Sequence, residues 1–141
     1  MLEKILTVEN LVTQLATDQG PILPVNGVSF DVYKGKTLGI VGESGSGKSV
    51  TALSIMRLIN PPLGQVIKGH IWLEDQDLLQ LSTKEMRKIR GNQIAMIFQE
   101  PMTSLNPVFT VGYQIKEAVQ LHQQLSSQAA YQQALELLSL V

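Results

Sequence analysis

One segment constrains this chain more than any other. Gly42-Glu43-Ser44-Gly45-Ser46-Gly47-Lys48-Ser49 fits G-x-x-x-x-G-K-[ST]. Its three glycines let the backbone curl so that successive N–H groups point at one anion, with no Cβ in the way. A helix opening near Lys48 adds its positive dipole end and unpaired amides. The Lys48 ammonium reaches β- and γ-phosphates as a point charge, and Ser49 offers a hydroxyl to Mg²⁺, a hard cation that takes oxygen ligands. A Gly/Ser turn with a solvated lysine is the bland alternative. The context favours the first reading, because a short apolar strand, Leu38–Val41, precedes the loop and a helix, Val50–Ile59, follows it. The segment is a nucleoside-triphosphate site.

The flanks supply the rest of the architecture. Ile5–Val12 and Val25–Tyr33 predict strands, separated by the turn Asp18-Gln19-Gly20-Pro21. Thr37–Val41 and Gln93–Phe98 are apolar runs of the kind that form strands buried on both faces. Lys48–Ile59 is apolar on nearly every side of a helical wheel, which predicts a buried helix stopped at Asn60-Pro61-Pro62. Val66–Leu73 predicts a strand closed by an acidic turn, 74–77. Ser82-Thr83-Lys84-Glu85 has capping-box spacing for a short helix ending at Gly91. Two helices, 110–124 and 127–140, complete the chain. Its last residues are strongly apolar, from which we expect that the sequence is cut short.

Composition excludes several classes. With 11 Lys+Arg against 12 Asp+Glu there is no broad basic footprint for nucleic acid, and without cysteine there is no disulfide or thiolate metal site. No apolar run of membrane-spanning length and no secretion signal is present, so a soluble protein of a reducing, intracellular compartment is expected. The loop cannot hydrolyse by itself, since phosphoryl transfer needs a second Mg²⁺ carboxylate and a group that positions water. That carboxylate would follow four apolar residues. The nearest approach, Trp72-Leu73-Glu74-Asp75, reads as a structural turn.

Thr37–Arg57 and Gln93–Pro107 (Gln-Ile-Ala-Met-Ile-Phe-Gln-Glu-Pro-Met-Thr-Ser-Leu-Asn-Pro) resemble the ATP-binding subunits of dipeptide and oligopeptide ABC transporters, the peptide/nickel branch. The resemblance implies an α/β fold, a P-loop NTPase of the ABC nucleotide-binding type, incomplete. It would have an N-terminal antiparallel β part and the start of a helical subdomain. Residues 1–99 would carry the β part, phosphate loop and Q-loop strand, and 100–141 the helical start. By the same resemblance Gly42, Glu43, Ser44, Gly45, Ser46, Gly47, Lys48 and Ser49 hold ATP, while Ser49 and Gln99 lie at Mg²⁺. Gln99 would be the Q-loop glutamine, acting beside the attacking water. The implied partners are transmembrane permease subunits and a second ATP-binding subunit, at the cytoplasmic face of the plasma membrane, with no nucleic acid. Leu15 stands where the family usually has an adenine-stacking aromatic. The L-S-G-G-x segment, Mg²⁺ aspartate, catalytic glutamate and switch histidine have no match, so the chain alone is expected not to turn over ATP efficiently. The rival readings are a soluble P-loop ATPase without a transport role and a non-catalytic truncated fragment.

Other residues read as structural. His70 and His122 have no acid at helical or strand spacing to orient them. Lys84, Arg87, Lys88 and Arg90 read as a solvated helix face, Glu74, Asp75 and Asp77 as a surface turn, and Trp72 and the methionines as packing residues.

Overall fold

The computed structural model describes residues 3–99 and 104–141. They fall into two compact units, the first ending at Arg90 and the second beginning at Gly91. In the first, β1 (Lys4–Leu15) pairs antiparallel with β2 (Ile22–Tyr33) and, on its other edge, with β3 (Gly64–Leu73); a two-residue strand β4 (Gln76–Asp77) follows. The sheet order is β2-β1-β3-β4. Both β1 ladders shift register between Val8 and Val12, where Asn10 takes a positive φ of 46°. Val8, Leu11, Val25 and Ile71 from the sheet are buried together with Ile55 and Met56 of the first helical stretch and with Leu78, Met86 and Ile89. Removing one such side chain from a core costs about 2–5 kcal/mol.

Helix α1 (Lys48–Ile55) is shorter than the sequence predicts, and Asn60-Pro61-Pro62 is not what stops it. It ends in a Schellman motif. The Leu58 amide donates to the Leu53 carbonyl at 2.9 Å and the Arg57 amide to the Ser54 carbonyl at 3.0 Å, with Arg57 itself left-handed at φ 50°. Glycine is the usual residue there, and an L-residue pays about 1–2 kcal/mol for the conformation. Nor is the helix buried all round. Thr51, Ser54 and Ile55 face the sheet, while Leu58 beyond its end is exposed.

Helix α2 (Thr83–Ile89) carries the expected capping box: the Ser82 hydroxyl accepts from the Glu85 amide, and the Glu85 carboxylate accepts from the Ser82 amide at 2.8 Å. In the second unit α3 (Val111–Gln123) and α4 (Ser127–Ser139) pack as a helical pair, their N-termini capped by Thr110 and Ser126. Val119, Ala130 and Ala134 are buried between them, the two alanines allowing close approach. The Gln114 amide nitrogen donates to the Asn106 and Phe109 carbonyls, and its oxygen accepts from the Asn106 amide.

The two apolar runs expected as central strands are not strands here. Residues 37–41 and 95–98 join no ladder among the described residues, and Val41 and Ile97 are 96% and 97% exposed. A strand exists only through its neighbour, because a lone extended segment leaves every N–H and C=O to water. Nothing in the described part of either unit supplies that neighbour.

Candidate functional site

The loop 42–47 and α1 assemble as the sequence requires. Gly45 and Gly47 have φ of 80° and 89°, in the left-handed region. Gly47 is also wedged against β2: a Cβ there would run into the Pro24 carbonyl, so the site needs glycine both for its angle and for its bulk. The buried Thr51 hydroxyl then donates to the Gly47 carbonyl at 2.9 Å, tying the loop's last residue to the helix.

The start of α1 differs from every other described helix start. Asp77, Ser82, Thr110 and Ser126 each place a side-chain oxygen on the amides of the element they precede, whereas at α1 the N-cap is Gly47 and no side chain caps it. The amides of the first turn, which have no partner within a helix, are left for an external acceptor. The Lys48 ammonium lies across the loop, donating to the Gly42 and Glu43 carbonyls at 2.7 Å each and approaching the Ser46 hydroxyl at 3.3 Å. Ser49 is exposed beside it. Open amides, an ammonium and an exposed hydroxyl are a donor set that fits a phosphate chain and one oxygen-seeking cation. Next to the loop runs an apolar groove of about 410 Å³, walled by Val28, Phe30, Leu38, Ile40 and Val41, with Gly42, Ser46 and Lys48 at its polar end.

Behind the loop, the hydroxyls of Thr13 on β1 and Ser54 on α1 lie 2.8 Å apart, both wholly buried. The sequence reading missed this pair, since 41 residues separate its members. It also missed the arginines at the far end of α1. Arg90, expected on a solvated face, instead donates from Nε to the Met56 carbonyl at 2.8 Å and from Nη2 to the Arg57 carbonyl at 2.6 Å.

Gln99 is exposed in the second unit, and residues 100–103, which the sequence reading places in a turn-rich segment, lie outside the described residues. Leu15 is a half-buried strand residue opposite Ile22 and Gly64. His70 does have an acid: Asp77 Oδ2 lies 2.8 Å from its Nδ1. Linear spacing hid this contact, because the turn at Glu74, with φ 53°, folds β4 back onto β3. Asp77 is accordingly buried rather than part of a surface turn, and it also accepts from the Leu79 and Ile71 amides. Trp72 donates to Glu9 and stacks on His70. Met56 and Met86 are core residues as expected. Among the described residues no cluster of three or more His, Asp or Glu side chains could hold a metal, and no helix is long and apolar enough to cross a membrane.

Comparison with known proteins agrees with this geometry. The sequence profile of the ABC transporter family matches residues 25–141. The dipeptide transport ATP-binding protein DppD of Bacillus subtilis is 53% identical over 140 residues, 99% of this chain and 42% of that protein. The oligopeptide transport ATP-binding protein AppD of the same organism is 49% identical over 99% of this chain and 43% of its own length. The chain thus spans less than half of the relatives it matches. Among solved structures, a dimeric ATP-binding cassette with bound ADP and Pi superposes with a TM-score of 0.78 at 22% identity, covering 93% of this chain and 54% of that one. With a profile match across most of its residues and the fold of an ATP-binding cassette, this chain belongs to the ABC transporter family.

Proposed function

We propose that this chain is the N-terminal part of an ATP-binding subunit that energises the import of peptides. In this reading Gly42 to Ser49 bind the phosphates of ATP, with Lys48 at the β- and γ-phosphates and Ser49 on Mg²⁺. Gln99 senses the γ-phosphate, lies at Mg²⁺ and acts beside the attacking water, at the junction between a β part, 1–99, and a helical part from 100 onward. The observation that carries the reading is the start of α1, which no side chain among the described residues caps, with the Lys48 ammonium lying across the loop on the Gly42 and Glu43 carbonyls. The names of the peptide-transport relatives supply the substrate class. The implied partners are permease subunits and a second ATP-binding subunit, at the cytoplasmic face of the membrane.

The chemistry follows from electrostatics. When a triphosphate enters, the ammonium exchanges neutral carbonyl acceptors for anionic phosphate oxygens, so that both partners of the contact carry charge. The loop amides and the dipole of α1 hold the remaining charge. Titration with MgATP tests this: saturable binding is expected at or below millimolar concentration, and Lys48→Ala should weaken it at least about tenfold. Binding indifferent to that substitution would remove the proposal's basis. The exposure of Val41 and Ile97 favours a second reading for the isolated 141 residues, a fragment that does not turn over ATP. Hydrolysis at the rate of a complete subunit would exclude it.

A further inference from the structure

The far end of α1 is held by an arrangement that the phosphate-site reading leaves unused. Two guanidinium groups converge there, and their partners are four main-chain carbonyls. Arg57 Nη1 donates to the Leu78 and Leu81 carbonyls, at 2.9 and 2.5 Å. Arg90 spans the Met56 and Arg57 carbonyls with Nε and Nη2. Leu81 directly precedes the N-cap of α2, and Arg90 is its C-cap. Both ends of α2 are therefore strapped to residues 56 and 57, where α1 ends. Met86 and Ile89 anchor the strap from below in the core.

Several observations indicate that this end is specified rather than incidental. The carbonyls at a helix C-terminus carry the negative end of its dipole, so cations belong there. Arg57 holds the left-handed position where glycine would be relaxed, and its side chain then reaches two further carbonyls. Among the described residues neither arginine has a carboxylate partner. Burial, and then the neighbouring Arg57, lower the pKa of Arg90 from its ordinary value, so two like charges sit close on purely backbone support.

Helix α1 has eight residues, about 12 Å from end to end. It is too short to bend, so a shift at residues 56 and 57 reappears at Lys48 and Ser49. We propose that Arg57 and Arg90 are positioning residues for nucleotide binding: through those four carbonyls they fix the C-terminal end of α1, and with it where the opposite end presents the loop amides, Lys48 and Ser49 to phosphate. The proposal rests on the phosphate-site reading above.

The experiment measures dissociation constant and stoichiometry separately by calorimetric titration with MgATP, on the full-length natural protein. Arg90→Ala is expected to raise the dissociation constant about tenfold at unchanged stoichiometry. Arg90→Lys should fall between it and the parent, because one ammonium does not reproduce a fork that spans two carbonyls. Arg57→Gly relieves the left-handed backbone and keeps the helix stop, yet should also raise the constant several-fold. If Arg90→Ala does not fold, the other two variants carry the test. Variants that lose melting temperature or stoichiometry at an unchanged dissociation constant would overturn the proposal, leaving a clamp for stability alone. Lys48→Ala keeps the two failures apart: unchanged binding in that variant overturns the phosphate site itself, and this proposal with it.

Discussion

Thr13 and Ser54 share one hydrogen bond, 2.8 Å long and fully buried, which joins the middle strand of the three long ones to the back of the phosphate-loop helix. Ser54 also donates to the Val50 carbonyl at 2.7 Å, so its hydroxyl is shared between the helix and the strand. Ser54→Ala removes one partner and leaves the other buried without it, at a cost of about 1–3 kcal/mol. Replacing both, with Thr13→Val and Ser54→Ala together, should cost less than the sum of the single changes by about 1 kcal/mol. Urea denaturation of the four proteins in the cycle measures that coupling. Strict additivity would mean that the two hydroxyls do not act together.

Glycines 45 and 47 share a backbone conformation and differ in surroundings, which separates strain from collision. An alanine at 45 meets nothing within 4 Å and suffers only its φ of 80°, so Gly45→Ala should cost about 1 kcal/mol. Gly47→Ala adds a clash with the Pro24 carbonyl and should cost clearly more, with MgATP binding lost. Equal losses at the two positions, in melting temperature and in binding, would contradict this account.

Asp77 makes stability depend on acid. Burial pushes its carboxyl up, but hydrogen bonds from His70 and from the Leu79 and Ile71 amides outweigh it, and the net shift is below the ordinary value of 3.8. A group with a lowered folded pKa stabilises above its unfolded value, and that contribution disappears as pH falls through the folded one. Unfolding free energy should therefore decline as pH drops below about 4. Asp77→Asn should flatten that decline. If the variant keeps the full slope, other carboxylates are responsible.

The unpaired runs predict poor behaviour of the isolated 141 residues. With Val41 and Ile97 almost wholly exposed, and Leu38, Ile40 and Phe98 about half exposed, the chain should bind a hydrophobic dye and associate as concentration rises. Sedimentation across a tenfold concentration range checks this. A dye-silent monomer throughout would show that these residues find cover of their own.

The loop 42–47 and the helix start behind it were legible in the sequence because each of their requirements is local: angles that glycine permits, an ammonium one residue into a helix, a hydroxyl beside it. The capping box at Ser82 and Glu85 and the ranges of the two terminal helices were legible for the same reason, whereas their Thr110 and Ser126 caps emerged only in the structure. The family followed from two short blocks of residues around that loop and before Pro107. Tertiary structure alone decided what depends on partners distant in the chain. Apolar residues at 37–41 and 95–98 promise strands, but a ladder needs a neighbour, and none lies among the described residues. His70 met Asp77 only once a turn had folded β4 back, and Arg90 left the solvated face only because two helix ends converge on it. Local rules set the shape of the loop and the donors it leaves open, and the fold decides how firmly the helix behind it is fixed, since hydrogen bonds across tens of residues have no trace in linear spacing.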